Sequence, residues 1–448
     1  MPILTVHDVA RCIGSTRVTL PIPKIDGDHA YTLPELIDLA ETANPEGRIA
    51  WAEAKEAMER AGVDRAQYLP LLTMVAETDD ARVLSPFPKP LAPRGYVTVS
   101  QPTVVAQLEL EYRLLDFGRA ARLEGSKALE LASALSLGRV HQTIAFDVAS
   151  QFYATQRAIG ELDAAKAILQ TAETVEGSAQ SQYENGRATL PDLENARAGT
   201  AAARYQLAAA EGEAHKASIT LTMLIGVEPT SEMKVVSQRR DGTKEIETSI
   251  DDLIETALKS RPDLQARTQE FRYAQQEYRV AHSAYLPRVD MQAAGGQTAI
   301  WPAADFGQLG QATVPTWSFS VGLHWQVFNA ARSHEINTAM AEEKAAAEQE
   351  RATRDAVSAE VWDAYVDYHT ALEQEKASQS FLVAATTSYD SSLDAFRYGV
   401  RSLVDVVEAE RQLAQARLEA VRALAYRLQA ETALVYSTGT LLRKSELP

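Results

Sequence analysis

The residues able to do chemistry are few and dispersed. The 448-residue chain carries eight histidines, no two of them in a His-x-x-x-His spacing, and no Gly-rich loop leads into a Lys-Ser/Thr pair. Gly295-Gly-Gln lacks the context of a phosphate loop. A single cysteine, Cys12, leaves no internal disulfide and no multi-Cys metal site. No catalytic centre, metal site or cofactor is expected. What remains is polar side chains in strict alternation with apolar ones. Gln107, Glu109, Glu111 and Arg113 alternate with Leu108, Leu110, Tyr112 and Leu114. His324 and Gln326 follow the same rule beside Trp317, Phe319, Val321, Leu323, Trp325 and Val327. Acids, amides and an imidazole in such a row can solvate ions along a wall, and His324 and the Glu109/Glu111 pair read as lining.

The elements that must position these side chains are strands, because successive residues of a strand point to opposite faces. One face is apolar and aromatic, the other wet and charged. That is the pattern of a transmembrane β-strand, which needs about 9–11 residues to span. No stretch approaches the roughly 18 apolar residues of a membrane helix. A net charge of −17 argues against nucleic acid as a partner, since phosphate binding needs a basic face.

The chain is internally duplicated. Asn44-Pro-Glu46 recurs as Arg261-Pro-Asp263 and Tyr68-Leu-Pro70 as Tyr285-Leu-Pro287. Tyr112 corresponds to Trp325, Gly186 to Gly399, Asp192 to Asp405 and Gly226 to Gly439. The spacing predicts an extended arm over 1–30, then a first repeat over 31–229. That repeat holds a helix over 31–67, a β-hairpin over 69–115 interrupted at Pro102, a long helix over 119–182 and a helix over 190–224. An irregular connector over 230–249 precedes a second repeat over 250–440. Its parts are a helix, a hairpin over 286–328, a long helix over 330–398 and a helix over 402–437, with a tail over 441–448. The proline-rich segment from Ser85 to Arg94 is expected to be a loop tip, because proline cannot donate to a ladder.

Alanines recur every seven residues in the returning helices, at Ala196, Ala203, Ala210 and Ala217 and again at Ala409, Ala416, Ala423 and Ala430. A sustained heptad of small residues predicts close coiled-coil packing. Two hairpins give four strands, and four strands cannot close a barrel in lipid without unpaired backbone groups. Closure must therefore come from several copies, and three copies give twelve strands. The fold class expected is mainly α with transmembrane β.

The duplicated plan, Arg261-Pro-Asp-Leu264 and Tyr398-Gly-Val-Arg-Ser-Leu-Val-Asp-Val-Val-Glu-Ala-Glu410 resemble the TolC-type outer-membrane efflux proteins. The resemblance covers about residues 31–440. It implies a homotrimer with a 12-stranded β-barrel in outer-membrane lipid and a periplasmic α-barrel. It further implies an exit duct for tripartite pumps or type I secretion systems, docking with a periplasmic adaptor and an inner-membrane transporter. The same resemblance places a gate at the Gly186 and Gly399 turns, on Asp192, Phe396, Arg401, Asp405 and Glu408, with Phe396 standing where the family can carry a tyrosine. No export signal is legible at Met1, so the numbered chain is expected to follow a removed one. Cys12 lacks the flanks of a lipid-anchor site. The rival reading is a soluble coiled-coil scaffold. It explains the heptads but leaves the aromatic face of Trp317 to Val327 without a purpose.

Overall fold

The computed structural model describes residues 29–90, 92–227, 233–236, 246, 248–305 and 307–442. The expectations for the arm before residue 29, for Cys12, for most of the 230–249 connector and for the tail beyond Leu442 lie outside these residues.

Among the described residues, eight helices and four long strands repeat one order twice. Helices α1 (Leu33–Ala43) and α2 (Pro45–Ala66) lead into strands β1 (Leu71–Pro86) and β2 (Tyr96–Leu115), then helices α3 (Arg119–Glu184) and α4 (Leu190–Leu224). The second half follows with α5 (Ile250–Ser260), α6 (Pro262–Ser283), β3 (Arg288–Ile300), β4 (Ala312–His324), α7 (Arg332–Arg397) and α8 (Leu403–Ser437). Where one helix was expected over 31–67, two stand. Asn44 leaves the helical basin at φ −65°, ψ 128°, and Arg261 does the same at φ −68°, ψ 119°. Each precedes a proline, whose ring disfavours the α conformation in the residue before it, while the proline itself suits the first helical position.

Four helices begin on the same device. Glu35, Asp192, Asp252 and Asp405 accept from the hydroxyls of Thr32, Thr189, Ser249 and Ser402, three residues back. These bonds occupy the capping residues and hold a carboxylate at the positive end of the helix.

Two compact units share the chain, one of residues 1–49, 138–261 and 356–448, the other of residues 50–137 and 262–355. In the first, Leu36, Ile37 and Ala40 of α1 pack with Ile144, Val148 and Phe152 of α3 and Leu221 of α4. A second cluster joins Val175 and Ala179 of α3, Leu193 and Ala196 of α4, and Val406, Ala409, Leu413 and Ala416 of α8. Of the eight heptad alanines, Ala196, Ala203, Ala409, Ala416, Ala423 and Ala430 are buried, whereas Ala210 and Ala217 are half-buried. The first unit also buries an ion triad: Arg427 meets Glu375 at 2.7 Å and Glu431 at 2.9 Å.

The second unit is built on an antiparallel sheet in the order β1-β2-β3-β4. The two hairpins are thus joined through their inner strands. The strand does not break at Pro102, which stands opposite Asp80 and uses its carbonyl to accept the Trp301 N–H at 3.1 Å. Nor does the proline-rich segment begin the loop at Ser85, because Ser85 and Pro86 pair with Val97 and Tyr96. Pro86, the last residue of an edge strand, needs no ladder donor. Among the described residues no helix is long and apolar enough to cross a membrane.

Candidate functional site

The register sorts the sheet into two faces. Leu108 lies opposite Gly295, which lies opposite Trp317; Leu110, Ala293 and Phe319 form the next rung, and Tyr112, Met291 and Val321 the one after. Leu72 and Met74 of β1 extend these rungs through Leu110 and Leu108. Trp317 is 82% exposed and Met74 74%, so this face carries large apolar side chains with nothing over them. On the other face Gln107, Glu109, Glu111 and Arg113 share rungs with Gly296, Ala294, Gln292 and Asp290, and with Thr316, Ser318, Ser320 and Gly322. His324 stands opposite Arg288. At Gly296 the strands approach so closely that a Cβ would run into the Ala106 carbonyl and the Gln107 Cα, which reserves the position for glycine.

Four expected members of these faces are placed otherwise. Strand β4 ends at His324, so Trp325, Gln326 and Val327 are not strand residues. The Trp325 indole donates to the Tyr285 carbonyl at 3.1 Å, and the Gln326 carbonyl takes the Arg332 guanidinium. The chain is turning here, with the Asn329 side chain accepting from the Ala331 N–H at 2.9 Å before α7 begins. Leu114 falls in a bulge: Arg113 pairs with Asp290 but Leu115 pairs with Val289. The extra residue hands Leu115 the place that alternation assigned to Leu114.

At the end of the wet face next to the helices lies a network that alternation alone did not single out. Asp290 is approached by Arg288 at 3.2 Å, Arg113 at 3.6 Å and His324 at 3.9 Å. Asp116 is approached by Arg113 at 3.2 Å and Arg122 at 3.7 Å. The available signal was Arg288 and Asp290, two residues apart and hence on one face.

At the helical tips both turns have the same construction. Gly186 (φ +68°) and Gly399 (φ +73°) take the left-handed conformation. The Gly186 N–H donates to the Tyr183 carbonyl and the Arg187 N–H to that of Gln182; the Gly399 N–H donates to Phe396 and the Val400 N–H to Ala395. This paired closure ends a helix on a glycine. Three residues past each turn a capping residue opens the next helix. Asp192 and Asp405 are the acids of those caps, and hydrogen bonds from Thr189 and Ser402 hold both carboxyls below the usual range. Arg401 donates to the buried Ser392 hydroxyl at 2.9 Å. Glu408 lies 3.5 Å from Arg411, one turn on along the same helix. Phe396, expected at the aperture, is instead 4% exposed and packed with Val175, Ala179, Leu193 and Val406. A ring buried inside one chain cannot line an aperture, and it serves the tip as core. Two residues beyond Glu408 on α8 stands Glu410, whose carboxyl burial pushes up to about 7.

Comparison with known proteins gives one consistent result. The family described as "Outer membrane efflux protein" matches residues 36–227 and 253–440. The Pyoverdine export outer membrane protein OpmQ of Pseudomonas aeruginosa is 26% identical over 330 residues, 72% of this chain and 66% of its own length. The Cation efflux system protein CusC of Escherichia coli K12 is 24% identical over 311 residues, 68% of this chain and 66% of its own. The chain thus spans just under two thirds of both relatives. Among solved structures, the outer-membrane channel OprN superposes with a TM-score of 0.77 at 19% identity, covering 91% of this chain and 90% of that one.

Proposed function

The chain belongs to the outer membrane efflux protein family, and from that premise we propose that three copies form the exit duct of a tripartite efflux pump. Its place is the outer membrane, with the helical part in the periplasm. The observation that carries the reading is the sheet: one face apolar from Leu72 and Met74 across to Trp317, Phe319 and Val321, and both edge strands, β1 and β4, with partners on one side only among the described residues. An unpaired backbone group in hydrocarbon costs several kcal/mol. The 13 residues of β4 would leave roughly a dozen such groups, so an open edge in lipid would cost on the order of tens of kcal/mol. Pairing β4 of one copy with β1 of the next removes every edge, and repeating that head-to-tail contact closes a ring.

In this reading Leu72, Met74, Leu108, Leu110, Tyr112, Trp317, Phe319, Val321 and Leu323 face lipid. Gln107, Glu109, Glu111, Arg113 and His324 face the lumen. The tips at Gly186 and Gly399 form the periplasmic aperture, with Arg401, Asp192, Asp405 and Glu408 as its polar groups, and open when an adaptor and an inner-membrane transporter dock. The relatives bear different cargo names, pyoverdine and cation, which fits a permissive duct whose selectivity is set by the transporter. The test is conductance: purified protein added to a planar bilayer should give discrete current steps. Protein that stays folded and enters the bilayer yet passes no current would overturn the duct.

A further inference from the structure

The network around Asp290 and Asp116 has a polarity. The two carboxylates are sheltered, at 12% and 16% side-chain exposure, whereas Arg113 is 40%, Arg288 57% and His324 62% exposed. Three guanidiniums meet two carboxylates, so the acids are spent beneath the cations that reach solvent. Arg122 turns partly away, toward Gln67 at 3.1 Å and the half-buried Glu277. The groups presented on the wet face at this level are therefore Arg113, Arg288 and His324. One rung farther along the same face the sign changes, to Glu111 and then Glu109, the latter accepting from Gln107 at 2.6 Å. The solvent-reaching basic and acidic side chains are thus separated along the strand axis, the one acid at the basic level, Asp290, being sheltered beneath Arg288 and Arg113.

We propose that Arg113 and Arg288, with His324 beside them, form a cationic collar on the lumenal face where strands give way to helices, and that this collar holds multivalent anions. The proposal rests on the trimeric duct. Twelve strands about 4.8 Å apart and tilted about 40° give a barrel radius of about 12 Å. Side chains narrow the lumen further, so six guanidiniums from three copies look at one another across a space comparable to the Debye length of about 10 Å at 0.1 M salt. Low-dielectric walls focus such a field, and its sign sets which solute accumulates. A ligand with several closely spaced negative charges, phosphate or carboxylate, can engage guanidiniums from two copies at once. The acidic tier beside the collar keeps singly charged anions from filling the whole lumen.

The test uses the detergent-solubilised full chain and tripolyphosphate as probe, with the phosphorus NMR linewidth as readout at about 0.05 M salt. The wild type should broaden the signal saturably, and about 1 M salt, where screening acts within about 3 Å, should abolish it. Arg288→Ser should weaken binding about tenfold, and Arg288→Glu should remove it. Arg82→Ser, an exposed arginine near the far end of β1, should change nothing. Binding that is absent in the wild type, or equal in Arg288→Ser and wild type, overturns the collar. Light scattering on the same samples separates the two readings. Three chains per particle without binding overturns the collar alone, whereas a monomeric particle overturns the duct and the collar together.

Discussion

Gly439 is seated on Arg261: a Cβ built at Gly439 would fall 2.9 Å from the Arg261 Cγ and 3.0 Å from its Cα, with Gly439 itself at φ +74°. The first half repeats the contact, Gly226 (φ +78°) facing the Ala43 carbonyl with a notional Cβ 3.1 Å away. Beside each glycine the broken helix donates a side-chain bond, Asn44 to the Leu224 carbonyl at 3.4 Å and Arg261 to that of Ser437 at 3.3 Å. The duplication is therefore preserved as a joint and not only as a sequence of elements, with the last helix of each repeat docking on the proline break of the first.

That joint predicts an order of costs. Gly186→Ala meets nothing within 4 Å and pays only for a left-handed L-residue, about 1 kcal/mol. Gly226→Ala and Gly439→Ala add a displaced neighbour and should cost about 2 kcal/mol or more. Urea unfolding of the three variants checks this, and equal losses at all three positions would contradict the close approach at Arg261.

The proposed aperture gives a second prediction. Arg401 ties its tip to Ser392 and helps hold Asp405 ionised. Arg401→Ala should raise closed-channel conductance severalfold in planar bilayers, and Ser392→Ala should do so more weakly. Conductance unchanged in both would remove Arg401 from the gate.

Glu410 gives a pH dependence. Burial raises its carboxyl to about 7, with Arg411 opposing. A raised carboxyl supports the fold while protonated. Its contribution is full below the unfolded carboxylate pKa of about 4.3 and is lost as pH climbs through the folded value. Glu410→Gln stays neutral throughout, so its urea midpoint should match wild type near about pH 4.5 and exceed it by about pH 8. A gap that does not widen with pH would contradict the assignment.

Ser402→Ala and Thr189→Ala remove hydroxyls that bond the capping acids Asp405 and Asp192. First-turn amides of α8 and α4 should exchange hydrogen several-fold faster, with little change in mid-helix. Uniform exchange along both helices would show that the caps do not hold the tips.

Much of this was legible because two periods dominate the chain. The alternation from Trp317 to Leu323 fixes which side chains share a face, and the register then aligns three strands on those faces from Leu108 to Arg113. The heptad alanines gave the helical packing for the same reason. What sequence could not give was where a period stops. Val327 continues the alternation on paper, yet Asn329 and Arg332 have already bent the chain. Leu114 looks like its neighbours, and only pairing with Asp290 and Val289 reveals the bulge. Asn44 and Arg261 carry no special signal except the prolines after them. Phe396 takes its expected place from the family resemblance alone, whereas its burial depends on α3 and α4, distant in sequence.

The central claim is that the sheet closes only with copies of itself. The most direct measurement is the protein mass of the detergent-solubilised particle, with bound detergent subtracted by light scattering and refractive index. Three chains of 49.0 kDa per particle is the predicted result. A particle monodisperse in water as one or two chains, binding no detergent, would contradict it and make the apolar face of Trp317 and Phe319 something other than a membrane surface.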